Sequence, residues 1–385
     1  MDKLNVSKRP LGRCMKLLGG AILMCSFMFV CGPVRGQKVN DLVYTDAREL
    51  SLIGQGFETA EGYTRLPENL KGKVRDAVWD LGQNSAGLAI RFRSNSSCIG
   101  ARWTLLNNFS MAHMAGTGIR GLDLYVLDGK GNWRFVGTAQ PNGKESANIF
   151  VRRMNGEEKE FLMYLPLYDG VVKLEVGIDS TAYIAKPREN VLTGTEGGKP
   201  VVFYGTSITQ GGCVSRPGMA YPAIVSRKLQ RDAVNLGFSG NGRMDRVMAD
   251  EIAGIDACAY VIDCLPNCTQ EIVKDSTEYF IGKIARTHPQ VPVYMVSNPP
   301  FPYVWVDARD KKDLEDENAL WYALYEKLKK EGCSNLRYIN VYDGKWGEFL
   351  GGDEEETVDG VHLTDTGAMR LAEIFCKELS RQISR

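Results

Sequence analysis

Histidine is scarce: the 385 residues contain 3. Any imidazole base must therefore be His113, His288 or His362. An excess of charge of either sign is also missing, with Lys+Arg and Asp+Glu at 47 each. That balance excludes a protein built around a basic field for nucleic acid or an anionic membrane surface. A convincing membrane span is absent too. The one long apolar stretch, Leu17 to Cys31, is too short and too isolated for one. Finally, the cysteines are not spaced as a small-protein disulfide framework, and a chain of this length does not need one.

What is present begins with a leader. Lys3, Lys8, Arg9, Arg13 and Lys16 precede the apolar stretch, and Gly-Pro-Val-Arg-Gly follows it before Gln37. This is the layout of a signal peptide over residues 1–36, with cleavage near Gly36–Gln37, although the Ala-x-Ala pattern is missing. The reading implies export to the periplasm, the outer surface or the medium. A retained anchor is the alternative. Lipidation at Cys25 or Cys31 fits less well, because Leu23-Met24 and Phe29-Val30 precede them. Of the ten cysteines, Cys14, Cys25 and Cys31 lie in the leader. Seven remain: Cys98, Cys213, Cys258, Cys264, Cys268, Cys333 and Cys376. An odd number leaves at least one free or paired between chains. Cys258, Cys264 and Cys268 cluster without the paired C-x2-C units or histidines of a zinc site, so no metal is expected.

The mature chain divides by period. Residues 37–186 read as β. Ala86–Arg93 and Gly121–Leu127 alternate apolar and polar residues, and Trp133–Thr138, Phe161–Leu167 and Val171–Ile178 are further short runs. Asp128-Gly129, Asn142-Gly143, Asn155-Gly156 and Asp169-Gly170 punctuate them, which predicts a β-sandwich or jelly roll. No convincing amphipathic helix is visible in this half. Residues 187–199, rich in Gly, Thr and Glu, read as a linker. From residue 200 to 385, five apolar runs alternate with helical stretches. The runs are Val201–Tyr204, Ala233–Phe238, Cys258–Cys264, Val291–Ser297 and Leu336–Val341. The expected helices are Ala220–Gln230, Arg243–Ala253, Glu271–Arg286, Lys312–Lys330, and a last one capped by Thr364 and running to about Ser380. Such alternation predicts an α/β fold, a parallel sheet covered on both faces. Ligands then sit at the carboxyl ends of the strands, and the turns after Tyr204, Phe238, Cys264 and Ser297 share one rim.

Chemistry gathers on that rim. Gly205-Thr-Ser-Ile-Thr209 leaves a buried strand and places Ser207 near backbone N–H groups. Taken alone, Ser207 reads as a residue that merely caps or turns the chain. A serine nucleophile needs a base, and histidine is the usual one. His113 lies in the β half, and His288 falls on a loop at the opposite rim. His362 follows the last strand, in Asp359-Gly-Val-His-Leu-Thr364, with Asp359 placed to hold its Nδ1–H. Asn235-Leu-Gly-Phe-Ser-Gly-Asn-Gly242 offers the N–H of Gly240, and Cys264-Leu-Pro-Asn-Cys-Thr269 offers the amide of Asn267. With the N–H of Ser207 they would make a three-donor oxyanion hole. Singly, Gly240 could be a turn glycine, and Asn267 an Asx turn or glycan acceptor.

The order Ser207, Gly240, Asn267, then Asp359-x-x-His362 resembles the SGNH (GDSL-like) hydrolase superfamily over Pro200–Arg385. More narrowly, Gly205-Thr-Ser-Ile-Thr-Gln-Gly-Gly-Cys213 with Ser215-Arg-Pro-Gly-Met219 resembles a bacterial branch carrying an N-terminal β domain marked Gly-x-Asp-Leu-Tyr, here Gly121-Leu-Asp-Leu-Tyr125. The resemblance implies a flavodoxin-like doubly wound sheet. It departs in two places: Thr206 stands where the founding pattern has Asp, and Leu265-Pro-Asn-Cys268 where Gly-x-Asn-Asp is usual. Resemblance and residues together imply a serine carboxylic-ester hydrolase working through an acyl-enzyme, without metal or organic cofactor. The implied substrate is a short acyl, acetyl-type ester on a small molecule or polysaccharide. Tyr303, Trp305, Trp321 and Tyr322 could stack on sugar, Arg216 could meet a polar group, and His113 and Asp123 could join the cleft. Each could instead be structural. An acyltransferase with the same triad, and a non-catalytic glycan-binding protein, remain as alternatives. Oligomeric state is not legible.

Overall fold

The computed structural model describes residues 38–59, 62–188, 198–342 and 355–383. The leader with its three cysteines, and most of the expected linker, lie outside the described residues. Ten strands occupy the first part: β1 (Val43–Asp46), β2 (Ser51–Ile53), β3 (Ala89–Ser94), β4 (Ile99–Leu105), β5 (Leu122–Leu127), β6 (Trp133–Ala139), β7 (Glu145–Val151), β8 (Lys159–Tyr164), β9 (Val171–Ile178) and β10 (Ile184–Ala185). They form two antiparallel sheets. One has the order β1-β9-β4-β7, the other β10-β3-β8-β5-β6 with β2 on β3. Between them lies an apolar filling in which Ile99, Ala101, Trp103 and Leu105 of β4 meet Ile90 and Phe92 of β3 and Phe161 and Met163 of β8. The alternation read at Ala86–Arg93 and Gly121–Leu127 falls on β3 and β5, whose apolar residues line this filling, although most positions of both strands are buried, Arg91 and Asp123 included.

Two short helices interrupt this part, α1 (Asp76–Gly82) and α2 (Gly116–Arg120), where none was expected. At seven and five residues they are too short to print a helical period on the sequence. The α1 segment does not serve the β filling at all. Leu66, Leu70, Val74 and Val78 join Val202, Tyr204, Val234 and Leu236 of the later sheet in one apolar cluster.

That later sheet comprises β11 (Val201–Gly205), β12 (Ala233–Gly237), β13 (Ala259–Asp263), β14 (Val293–Val296) and β15 (Leu336–Ile339). All pairings are parallel, in the order β12-β11-β13-β14-β15. This 2-1-3-4-5 order is that of flavodoxin-like sheets, whose ligand crevice opens where the order reverses, at the carboxyl end of the first strand. The first four strands are buried throughout, as continuous apolar runs require. The helices are α3 (Ser207–Gln210), α4 (Tyr221–Leu229), α5 (Arg246–Ile252), α6 (Gln270–Thr287), α7 (Ala308–Lys330) and α8 (Asp365–Ile383). Helix α7 starts four residues earlier than expected, because the Asp307 carboxylate accepts from the N–H groups of Arg309 and Asp310. Thr364 caps α8 as expected, its Oγ1 accepting from Gly367 N–H at 3.3 Å.

The two parts belong to one compact unit. Arg65 welds them. Its buried guanidinium donates to Leu81 and Asn84 carbonyls on one side and to Asn235 and Gly237 carbonyls of β12 on the other, at 2.6–3.1 Å. Burial pulls its pKa down to about 9, still above neutrality. Among the described residues no helix is long and apolar enough to cross a membrane.

Candidate active site

Strand β11 ends at Gly205 and the chain turns at once into α3, with Ser207 as its first residue. Thr206 is the N-cap, and its hydroxyl accepts from Ile208 N–H at 3.2 Å. This is a helix-capping task that a threonine hydroxyl performs as a carboxylate would, so Asp is not needed before the serine. As the first helical residue, Ser207 has an N–H with no intrahelical acceptor, directed out of the turn. Gln210 fastens α3 on two sides: its Nε2 donates to Leu167 O at 3.0 Å, and its Oε1 accepts from Ser239 N–H at 3.0 Å.

The second part of the site is a tight hairpin. Thr357 and Leu363 bridge in antiparallel fashion, and Val358 N–H donates to His362 O at 2.8 Å. Asp359 and Gly360 form its tip. Gly360 has φ +85°, a left-handed conformation that would cost a residue with a Cβ about 1–2 kcal/mol. The turn folds the Asp359 carboxylate back over the chain. Oδ1 accepts from the N–H groups of Val361 (3.1 Å) and His362 (2.8 Å), and Oδ2 faces His362 Nδ1 at 2.7 Å. Partial burial opposes the charge on Asp359. The hydrogen bonds from His362 and Val361 outweigh it and hold the carboxyl below its ordinary range. On its other side, His362 Nε2 lies 2.9 Å from Ser207 Oγ. The structure thus brings hydroxyl, imidazole and carboxylate into one hydrogen-bonded line across 155 residues of sequence.

The imidazole is seated against Gly212. A Cβ there would stand 2.9 Å from His362 Cδ2 and 3.1 Å from both Ser207 O and Tyr168 OH. Neither Gly212 nor Tyr168, whose hydroxyl meets Ser207 O at 3.4 Å, is singled out by sequence reasoning. The Gly211-Gly212 pair just after α3 is the signal that could have found the first.

The two remaining rim loops stand side by side. Asn267 Oδ1 accepts from Gly242 N–H at 3.3 Å, and no residue among those described accepts from its Nδ2. Gly240 has φ +65° and no heavy atom within 4 Å of where a Cβ would be, so its backbone is open on that side. Beneath α3, buried Asp263 accepts from the Tyr221 hydroxyl at 2.8 Å. Burial raises its pKa to about 7 against the pull of Tyr221 and Thr209.

The outlying candidates are dispersed. Arg216 is committed to the β part: its Nη1 donates to Asp123 Oδ2 (2.8 Å) and to the Tyr125 hydroxyl (2.6 Å), and the guanidinium covers the Phe135 ring at 3.8 Å. It lines a groove of about 470 Å³ that includes none of Ser207, Asp359 and His362. Tyr303 stacks on Phe301, and Trp305, 73% exposed, borders a separate hollow of about 340 Å³ with Tyr342 and Lys311. Trp321 is 0% exposed and packs in the core under α7, so it cannot stack on a sugar; a tryptophan on an amphipathic helix is not distinguishable from a surface one by type alone. Tyr322 is exposed beside Tyr338. His288 is occupied elsewhere, its Nε2 2.7 Å from Ala253 O. His113, by contrast, arrives from the β part with its ring centroid 5.7 Å from that of His362. Together with Cys213, Asp359 and His362 it forms a group whose metal-ligating atoms all lie within 4.8 Å of one another. All seven described cysteines are free.

Comparison with known proteins follows the same division. The GDSL-like lipase/acylhydrolase family model matches residues 198–380, and the model for the N-terminus of SGNH-hydrolase-type esterases matches residues 42–184. A crystal structure from Bacteroides ovatus, described as a GDSL-like lipase, is 34% identical with TM-score 0.82, over 89% of this chain and 98% of that one. A salicylyl-acyltransferase of a tetracycline biosynthetic pathway shares the fold at 18% identity and TM-score 0.67, over 89% and 97%. So does a family two carbohydrate esterase from Clostridium thermocellum in complex with cellohexaose, at 12% identity and TM-score 0.53, over 78% and 93%. No curated protein matches.

Proposed function

The chain belongs to the GDSL-like lipase/acylhydrolase family of SGNH-type esterases, and from that premise we propose that it is a serine carboxylic-ester hydrolase with Ser207 as nucleophile, His362 as base and Asp359 as the orienting carboxylate. One observation carries the reading: the unbroken line Ser207 Oγ–His362 Nε2 (2.9 Å) and His362 Nδ1–Asp359 Oδ2 (2.7 Å).

The mechanism follows from those contacts. Asp359 holds Nδ1–H, so Nε2 presents its lone pair to the Ser207 hydroxyl. As Oγ attacks the ester carbonyl carbon, its proton passes to Nε2, and the imidazolium is stabilised by the ionised carboxylate. The oxyanion meets Ser207 N–H, Gly240 N–H and Asn267 Nδ2, each worth roughly 3 kcal/mol at the transition state. His362 then protonates the leaving alkoxide, and water attacks the acyl-serine by the same path in reverse.

The substrate we assign is a short-chain, acetyl-type ester on a carbohydrate, met outside the cytoplasm after removal of residues 1–36. The carbohydrate esterase among the structural neighbours, seen with cellohexaose, and the appended β-sandwich support that class. The salicylyl-acyltransferase on the same fold supports a second reading, in which an alcohol rather than water takes the acyl group. Product partition with and without added acceptor separates the two. The primary test is turnover of p-nitrophenyl acetate: Ser207→Ala and His362→Ala each fall by about ten-thousandfold or more in kcat. Turnover near that of the wild type in either variant overturns the assignment.

A further inference from the structure

The group His113, Cys213, Asp359 and His362 is more than the triad requires. Asp359 and His362 are used by the proposed hydrolysis, but His113 and Cys213 have no part in it. They arrive from different places: His113 from the β part ahead of α2, Cys213 from the turn after α3. Asp359 and His362 come from the hairpin before α8. Three separate segments therefore deliver four ligating atoms to a space no wider than 4.8 Å between any two. A tetrahedral zinc with bonds of about 2.0–2.3 Å has ligand atoms about 3.3–3.8 Å apart. The group is thus about an ångström too open at its widest pair. His113 is exposed, so its side chain is free to close that gap.

The donor set selects the ion. Two imidazoles, one sulfur and one carboxylate oxygen suit a borderline divalent cation such as zinc, and suit magnesium or calcium poorly. Charge also balances: a thiolate and a carboxylate together offset a dication. Cys213 is buried, and burial together with the Asp359 charge keeps its thiol protonated, so the thiolate forms only as a bound cation displaces the proton.

We infer that His113, Cys213, Asp359 and His362 form a zinc-type cation site that shuts the catalytic centre reversibly. The inference rests on the esterase reading for its consequence, not for its geometry. Both ring nitrogens of His362 are engaged, one with Asp359 and one with Ser207. A cation at either nitrogen must displace one of those bonds, so it removes either the base or its orientation. On binding, the sulfur–metal bond forms as the Cys213 S–H bond breaks, and the proton passes to the buffer.

The test uses the mature chain with two probes. Cobalt(II) chloride is titrated and followed by the sulfur-to-cobalt charge-transfer band in the near ultraviolet, and zinc chloride is titrated against p-nitrophenyl acetate turnover. Wild type shows a 1:1 cobalt band, and zinc suppresses turnover more than tenfold, with recovery on adding EDTA. Cys213→Ser lacks the band. Cys213→Ser and exposed-site His113→Ala each raise the half-inhibiting zinc concentration at least about tenfold relative to their own zinc-free rates, the scale on which even outer partners of metal ligands act. No cobalt band in wild type, or equal zinc sensitivity in wild type and both variants, overturns the site. Absence of turnover with the cobalt band intact overturns the esterase reading and leaves the site standing.

Discussion

At the scale of single residues, the site depends on a few atoms that are absent. Gly212 carries no Cβ, and the His362 ring occupies the room one would take. Gly212→Ala must therefore shift the imidazole or the Ser207 carbonyl. A displacement of that size costs about tenfold to a hundredfold in kcat/KM with the fold intact, which ester kinetics beside circular dichroism will show. Asn267→Ala removes one of the three donors proposed for the oxyanion and should lower kcat about a hundredfold or more, with KM little changed. Asp263 makes a prediction of opposite character. Its folded pKa of about 7 lies above the value of about 3.9 in an unfolded chain. Between those values the native state binds the extra proton, so this group's contribution to stability falls as pH rises across the window and is constant above it. Asp263→Asn removes that dependence. The variant's Tm minus the wild-type Tm should rise by a few degrees between pH 5 and pH 8 in thermal melts; a difference independent of pH contradicts the buried ionisation. The contact of Ser207 with His362 was legible because only three imidazoles were available and one stood at the same rim as the serine. Gly212, Tyr168 and Cys213 were not, because their roles exist only as contacts between distant segments.

At the scale of elements, the carboxyl ends of β11, β12 and β13 and the hairpin before α8 are the parts that place chemistry. The hairpin is anchored from below: buried Glu356 pairs with Arg370 of α8, and Asp365 at the start of α8 accepts from the Ser215 N–H (2.8 Å) and hydroxyl (2.5 Å). The segment that follows Ser207 and the hairpin that carries His362 are thus tied to the same helix end. Gly360→Ala forces a Cβ into the left-handed tip and should reduce kcat more than it lowers Tm, since the strain falls on the turn that aims Asp359. The first four strands of the parallel sheet could be read from their apolar runs, because burial on both faces removes alternation, whereas edge strand β15 keeps Arg337 and Tyr338 half-buried. Helix ends were less legible: the cap at Asp307 depends on backbone geometry that residue type only suggests. The helix α1 was invisible for a further reason, that its apolar residues answer to a sheet more than a hundred positions away.

At the scale of the molecule, the two parts of the chain are not beads on a string. Leu66, Leu70, Val74 and Val78 cover one face of the parallel sheet, and Ala86, Met114, Ile119 and Leu167 join the apolar cluster on the other. Leu70→Ala, at a wholly buried position of that shared cluster, should cost about 2–5 kcal/mol and lower a single thermal transition. Two separate transitions would contradict the shared core. A change of period along the sequence shows that two architectures follow one another; it does not show how much apolar surface they share, because that is set by long-range packing. The same packing brings His113 beside His362. The central claim, that one serine on this shared scaffold is activated by one imidazole, is tested most directly by mapping the adduct of a fluorophosphonate by peptide mass spectrometry. A single adduct on the peptide holding Ser207, lost when His362 is replaced by alanine, is the result expected. An unlabelled chain, or label on another serine with Ser207 untouched, would contradict it.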